Sequence, residues 1–373
     1  MAVLIPLLLA TAACSSGPRQ PVVPSTLQVD HVWVALGRAG GIPSDAELFI
    51  KMGDKARLYV VVEAVDKKTR KRHTFATVPK IKKGGRTIKT ERWPSRTAGA
   101  LDLSVYRLEA DPPDGGIYDN TGTLEHRWLG AARESHPEKW HWCPIDLVET
   151  DTGWGSVWEH AVDATGTTTT DYGGLGTMRF VVHVAQGKRE VWSRGREHAD
   201  KAGLRRGLPT VRVRRDDTAV GYMTELINVP YVFGSSSPGD ANTDHQAERA
   251  VGADCADLIV YGWRRAGRKV PYTYSQGLKK YTRRMATVLG DQSDVYRNDA
   301  GQPLRFGKEV AVGDLLIWKG HVAVVAGADR SGYLTSDTPV LHTVVEAPEL
   351  EPLGKMGFGF PDGNFEVRRY RGK

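Results

Sequence analysis

The sequence predicts an α+β C-terminal domain preceded by a β-rich N-terminal domain of sandwich or barrel-like architecture. Three observations predict it. Residues 27–191 carry β-branched runs between glycine turns and no long stretch with a helical period. From residue 216 the pattern changes to two helical periods followed by apolar strands, the order of an α+β domain. A charged stretch, residues 192–215, separates the two and reads as a linker.

A length of 373 residues suits about two domains of ~150 residues each. A 40% hydrophobic content suffices for packed cores and excludes wholesale disorder. Lys and Arg outnumber Asp and Glu 51 to 44, a net charge of +7 that favours anionic surroundings. The charge is spread along the chain. Neither zinc-finger spacing nor an interleaving of aromatic and basic residues is present, so nucleic acid is not expected as a partner.

Residues 3–10 are apolar but too few to span a bilayer. Thr11, Ala12 and Ala13 follow, then Cys14, the layout of a secretory signal whose cleavage leaves a cysteine first. This resembles a bacterial lipoprotein signal. The resemblance implies a signal over residues 1–14, a lipid on Cys14, export, and anchoring to a membrane of the cell envelope. Residues 15–26, rich in Ser, Pro and Gln, read as a flexible tether.

In the β-rich part, residues 32–36, 56–65 and 178–184 are the clearest strands. Gly40-Gly41, Gly84-Gly85, Asp114-Gly115-Gly116 and Gly173-Gly174 mark turns. In the linker, Arg194, Arg196, Glu197, Lys201, Arg205 and Arg206 suit a solvated helix or an open segment, and residues 208–214 a joining strand. In the C-terminal domain, residues 216–373, Asp216 and Asp217 are placed to cap a helix through Ala219, Met223, Leu226 and Ile227, which Pro230 ends. A polar loop, residues 234–252, leads to a second helix at Cys255. Strands are expected at residues 314–318, 321–326 and 340–346.

The second helix carries the chemistry. Asp254 is its N-cap candidate, and Cys255, Ile259, Gly262 and Ala266 share one face. Arg264 and Arg265 suit the last turn, and Gly267 the terminator. The thiol then sits in the first turn, where the helix dipole favours thiolate and free N–H groups suit an oxyanion. A small buried core residue fits the same pattern. His321 opens an apolar strand after the turn at Lys319-Gly320, where it suits a general base or a solvated turn residue. His342, opposite in facing to Leu341 and Thr343, suits the orienting role in a triad; Asp337 is the alternative, less favoured.

Five blocks together resemble the NlpC-type cell-wall peptidases, papain-like cysteine hydrolases. Val229, Pro230, Tyr231, Val232, Phe233 and Gly234 are similar to the family's Pro-Tyr-x-Trp-Gly segment. Gly252, Ala253, Asp254 and Cys255 resemble its Asp-Cys-Ser-Gly-Leu motif, and Val312, Gly313, Asp314 and Leu315 its Pro-Gly-Asp-Leu strand. Gly320, His321, Val322, Ala323 and Val324 resemble its His-Val-Gly-Ile strand, and Leu341-His342 its later Ile-His. The blocks stand in family order across residues 216–348. The resemblance implies a papain-like domain with Cys255 as nucleophile, His321 as base and His342 as the third polar residue. Tyr231 and Asp254 would lie beside them, with Tyr231 and the Cys255 N–H facing the oxyanion. The implied reaction is hydrolysis of an amide in the peptidoglycan stem peptide, often next to D-glutamate.

Ala256-Asp257 replaces the family's Ser-Gly, and Asp257 is expected to cap the helix with Asp254. The loop after Gly234 is longer than usual and offers Asp240, Asp244, His245 and Glu248 to a different cleft. No cofactor and no metal are expected: His136, His141 and Cys143 lie close together, but their spacing matches no zinc pattern. Cys143 and Cys255 are expected to remain unpaired. Peptidoglycan is the expected partner, together with a membrane through the lipid; oligomeric state leaves no signal. Two other readings are carried forward. One is a papain-like amidase or acyltransferase acting on a non-wall amide. The other is a non-catalytic wall-binding lipoprotein.

Overall fold

The computed structural model describes residues 26–111, 117–121, 142–143, 145–162, 174–236, 245–290 and 294–372. The signal with Cys14, the tether up to residue 25, the turn at 114–116, His136, His141, Asp240 and Asp244 lie outside the described residues.

The N-terminal half is β, built from two sheets on one core. In the first sheet, Leu27–Arg38 pairs with Ala56–Asp66, which also takes Glu159–Val162 and Arg72–Phe75. The second runs Leu48–Lys51, Thr210–Arg214, Gly176–Gln186, Asp102–Ala110, Leu147–Asp151, with Arg189–Trp192 folded back on Gly176–Gln186. Its pairs are antiparallel except Leu48–Lys51 with Thr210–Arg214. Period-2 alternation explains the layering. Leu58, Val60 and Val62 meet Phe180, Val182 and Val211 in the shared core. Tyr59 and Val61 point outward, to Ala35 and Ile81. Ile81 belongs to the hairpin Lys80–Lys83 and Arg86–Lys89. Its turn residues, Gly84 and Gly85, both have positive φ, as a tight two-residue turn requires.

The segment expected to be a linker, residues 192–215, is instead part of this half. Ser193 bonds back to Val182, Ala199–Asp200 pairs with Gly203–Leu204, and Thr210–Arg214 is an inner strand. Arg194, Arg196, Glu197, Lys201, Arg205 and Arg206 are exposed as expected, but one cation of the segment is buried against partners. Arg212, 1% exposed, donates to Glu47 at 3.0 Å and to the Glu248 carbonyl at 3.2 Å.

The C-terminal half is α+β. A short helix, Ala219–Met223, continues into a 3₁₀ turn, Thr224–Leu226. Its cap is Thr218, whose hydroxyl accepts the Gly221 N–H at 3.0 Å; Asp216, the expected cap, accepts the Thr218 N–H at 2.8 Å. The Cys255–Arg265 helix begins on Asp254, as its sequence indicates, and the chain leaves it through Gly267 at φ 83°. Its buried face packs on a six-stranded antiparallel sheet ordered Thr282–Val288, Phe365–Tyr370, Leu315–Ile317, Val322–Val325, Pro339–His342, Glu349–Pro352. The sheet has two distinct faces. Leu315, Ile317, Val322, Val324 and Leu341 face the Cys255 helix, whereas Leu316, Ala323, Val325, Val340 and Val367 face a second core.

Gly262 is where the two helices touch. A Cβ there would stand 2.5 Å from the Ala219 carbonyl oxygen and 2.2 Å from Met223 Cγ. Gly262→Ala must therefore push the helices apart. We expect a loss of roughly 2 kcal/mol, measured by chemical denaturation, despite the gain in helix propensity.

Candidate active site

Asp254 organises the site from below. Its Oδ1 accepts the Ala256 and Asp257 N–H groups, each at 2.9 Å, and its Oδ2 the Gly234 N–H at 3.2 Å. One carboxylate thus caps the helix and ties down the chain after Tyr231, which itself bridges to Ala253. Asp254 serves in this way as a structural cap rather than as an oxyanion donor. Burial raises its pKa, and the three N–H groups pull the other way.

Cys255 is 9% exposed. The Val322 N–H is oriented so as to favour the charged form of its sulfur. That nitrogen belongs to the His321–Val322 peptide, so the fold brings the thiol against the first residue of the expected base. No hydrogen bond joins the sulfur to the His321 ring among the described residues. The ring packs on the second face of the sheet, stacked on Phe360 with centroids 4.4 Å apart and tilted against Trp318 at 5.9 Å. The His342 ring meets it edge-on at 5.4 Å. Alternation explains the meeting: continuing the register puts Ala323 opposite His342, and His321 lies two residues before Ala323, so both rings share one face. Asp337, the rival third residue, sits exposed in the turn before that strand.

The electrostatics differ from expectation. The helix N-terminus was expected to favour thiolate, but burial pushes the Cys255 thiol far up. The charges of Asp254 and Asp257 push it further, against the Val322 and Ala256 N–H groups. His321 is held well below the usual histidine value by burial and then by His342. His342 is lowered by burial, with Glu351 opposing. The resting pair is therefore neutral thiol and neutral imidazole, not an ion pair. Iodoacetamide alkylation of Cys255 is then expected to keep rising through about pH 9, past the usual thiol midpoint, without a plateau. Mass spectrometry of the labelled protein reads this directly.

Asp257 does not cap the helix. It is 1% exposed, accepts from Ser235 Oγ, and its carboxyl is raised well above the usual range by burial and by Asp254. Tyr231 is buried beside the site. Its phenol is raised well above its ordinary value, by burial first and then by Cys255, Asp254 and Asp119. It remains a hydroxyl donor across the working pH range.

The thiol opens on a cleft of about 1200 Å³. His245 and Tyr272, with ring centroids 4.3 Å apart, line it, as do Arg268 and Lys269. Glu248, expected in the cleft, instead lies behind it, holding Arg264 at 2.7 Å and the Tyr272 hydroxyl at 3.1 Å. The N-terminal half supplies Thr121 to the wall. Its neighbour Asn120, fully buried, bonds Gln246 at 2.9 Å and accepts the Cys143 N–H at 2.7 Å. Cys255 is in no disulfide.

Sequence reasoning missed three neighbours of the histidines. Glu351 Oε1 lies 2.7 Å from His342 Nε2, and Glu349 is 3.8 Å from the same nitrogen. Phe360 covers His321. The alternation Glu349-Leu350-Glu351 was the available signal for a strand with one polar face. His342, Glu349 and Glu351 also place one donor atom each within 4.8 Å of one another, a set a metal ion could use. The His342–Glu351 hydrogen bond accounts for the contact without one.

Compared with known proteins, the chain matches no family model, no curated protein and no solved structure.

Proposed function

We propose that the chain is an exported cysteine hydrolase of NlpC type, cleaving amide bonds in peptidoglycan stem peptides. The observation that carries this is the Cys255 thiol, seated in the first turn of a capped helix, against the His321–Val322 peptide, at the floor of a cleft. His321 takes the thiol proton as the sulfur attacks the carbonyl carbon. The Cys255 N–H and the Tyr231 hydroxyl hold the oxyanion. His321 returns the proton to the leaving amine, and water then hydrolyses the thioester. Arg268 and Lys269 in the cleft suit the free carboxylates of a stem peptide. Lipid attachment at Cys14 and envelope localisation belong to the same proposal, as does a papain-like fold for residues 216–373.

Purified sacculi incubated with the full chain and with His321→Ala test it. Stem-peptide fragments with new amine ends, identified by mass spectrometry and lost in the variant, are the expected result. If sacculi stay intact while Cys255 reacts rapidly with a thiol probe, the substrate is a non-wall amide. One observation favours the silent wall-binding reading: the His321 ring packs on Phe360 and Trp318 of the second core, and among the described residues no hydrogen bond joins it to the sulfur. An inert Cys255 together with retention on sacculi would establish that reading instead.

A further inference from the structure

We infer that Glu351 is a positioning residue that acts through His342 to set the tautomer of His321, extending the proposed Cys255–His321–His342 site by one carboxylate. The inference rests on the hydrolase reading for its consequence, though not for its geometry. His342 is fully buried, and its Nε2 lies 2.7 Å from Glu351 Oε1. The strand register places Glu349 opposite His342 and Glu351 opposite Val340, so both carboxylates share the face on which His342 projects. A carboxylate oxygen accepts, so His342 carries its proton on Nε2 and a lone pair on Nδ1.

Among the described residues, that Nδ1 is buried without a hydrogen-bond partner, and so is Nε2 of His321. The two rings meet edge-on, with centroids 5.4 Å apart and planes at 83°. The rings are in edge contact but the two nitrogens are not hydrogen-bonded to each other; a ring rotation that paired them would require one to donate and the other to accept. With Nδ1 of His342 fixed as the acceptor, the proton belongs on Nε2 of His321. The free lone pair of His321 is then on Nδ1, available as the base for the thiol. Were Glu351 absent, His342 would be free to protonate on Nδ1, and the preference at His321 would reverse. Phe360 and Trp318 pack on the His321 ring and keep out water that could otherwise satisfy either nitrogen.

The test compares the full chain with Glu351→Leu, Glu351→Gln and His321→Ala. Imidazole ¹⁵N spectra report the tautomers, iodoacetamide reports the Cys255 rate, and sacculi report activity. Wild type is expected to show Nε2–H on both histidines. Leu removes the acceptor, and the alkylation rate and any fragment release should fall at least ~10-fold, with mixed tautomer signals at His342. Gln keeps an acceptor oxygen and should stay within ~3-fold of wild type. A melting temperature for Leu at or above wild type would separate positioning from a structural role, since Leu fills a similar volume without a charge. Unchanged ¹⁵N signals and an unchanged alkylation rate in Glu351→Leu would overturn the inference. If His321→Ala alkylates and cleaves like wild type, the hydrolase reading fails instead, while the ¹⁵N spectra still decide the tautomer.

Discussion

Cys255→Ala is expected to abolish fragment release from sacculi, a drop of about 10³-fold or more, while the protein stays folded. In the proposed mechanism the sulfur is the atom that forms the acyl intermediate. The structural cost is small. Ala removes a single buried sulfur from a side chain at the cleft floor, which suggests roughly 1 kcal/mol. Cys255→Ser should be nearly as inactive, because a hydroxyl so deeply buried beside Asp254 and Asp257 is harder still to ionise than the thiol. Release that survives in both variants would remove Cys255 from the chemistry altogether.

The largest expected effect on stability lies elsewhere, at Glu225. This carboxylate is fully buried in the 3₁₀ turn after the first helix. It accepts from the Tyr261 hydroxyl at 2.5 Å and from Arg265 Nε and Nη2 at 3.1 and 3.2 Å. Arg214 approaches to 3.9 Å. Two cations and a phenol thus converge on one acceptor with no access to water. Glu225→Ala removes this acceptor from Tyr261 and Arg265, while Arg214 keeps Asp217 at 2.8 Å, and we expect a loss of roughly 3 kcal/mol. Denaturant titration measures it. Glu225→Gln should recover part of the loss by accepting from Tyr261, and a midpoint unchanged in the alanine variant would refute the account.

Local signals explain what the sequence reveals about this site. Asp254, Arg264, Arg265 and Gly267 each have a positional preference at a helix end, so the Cys255–Arg265 helix is legible to the residue. The apolar runs around His321 and before His342 are equally local. What is not legible depends on tertiary burial. Asp257 looks like a surface or cap residue because nothing in its neighbourhood along the chain predicts that Ser235 will enclose it. The thiol's upward shift follows from the same enclosure, which outweighs a dipole that sequence position alone can anticipate. Glu351 reaches His342 only through the edge strand that returns after a turn, a pairing that no periodicity encodes. The arginines of residues 205–215 look solvated by composition, yet Arg212 is buried because its partners come from Glu47 and Glu248, far away in the chain.

The seam between the halves limits how portable the thiol-bearing half is. Tyr118–Asp119 runs parallel to Val232–Phe233, Arg179 donates to the Arg249 and Ala250 carbonyls, and the Thr177 hydroxyl donates to the Glu225 carbonyl at 2.6 Å. A graft of residues 216–373 onto a foreign carrier would leave these carbonyls stranded and the cleft short of one wall. Gene fusions that trade such halves like interchangeable cassettes would therefore be expected to fail here, and inheritance of this chain should proceed as one indivisible block.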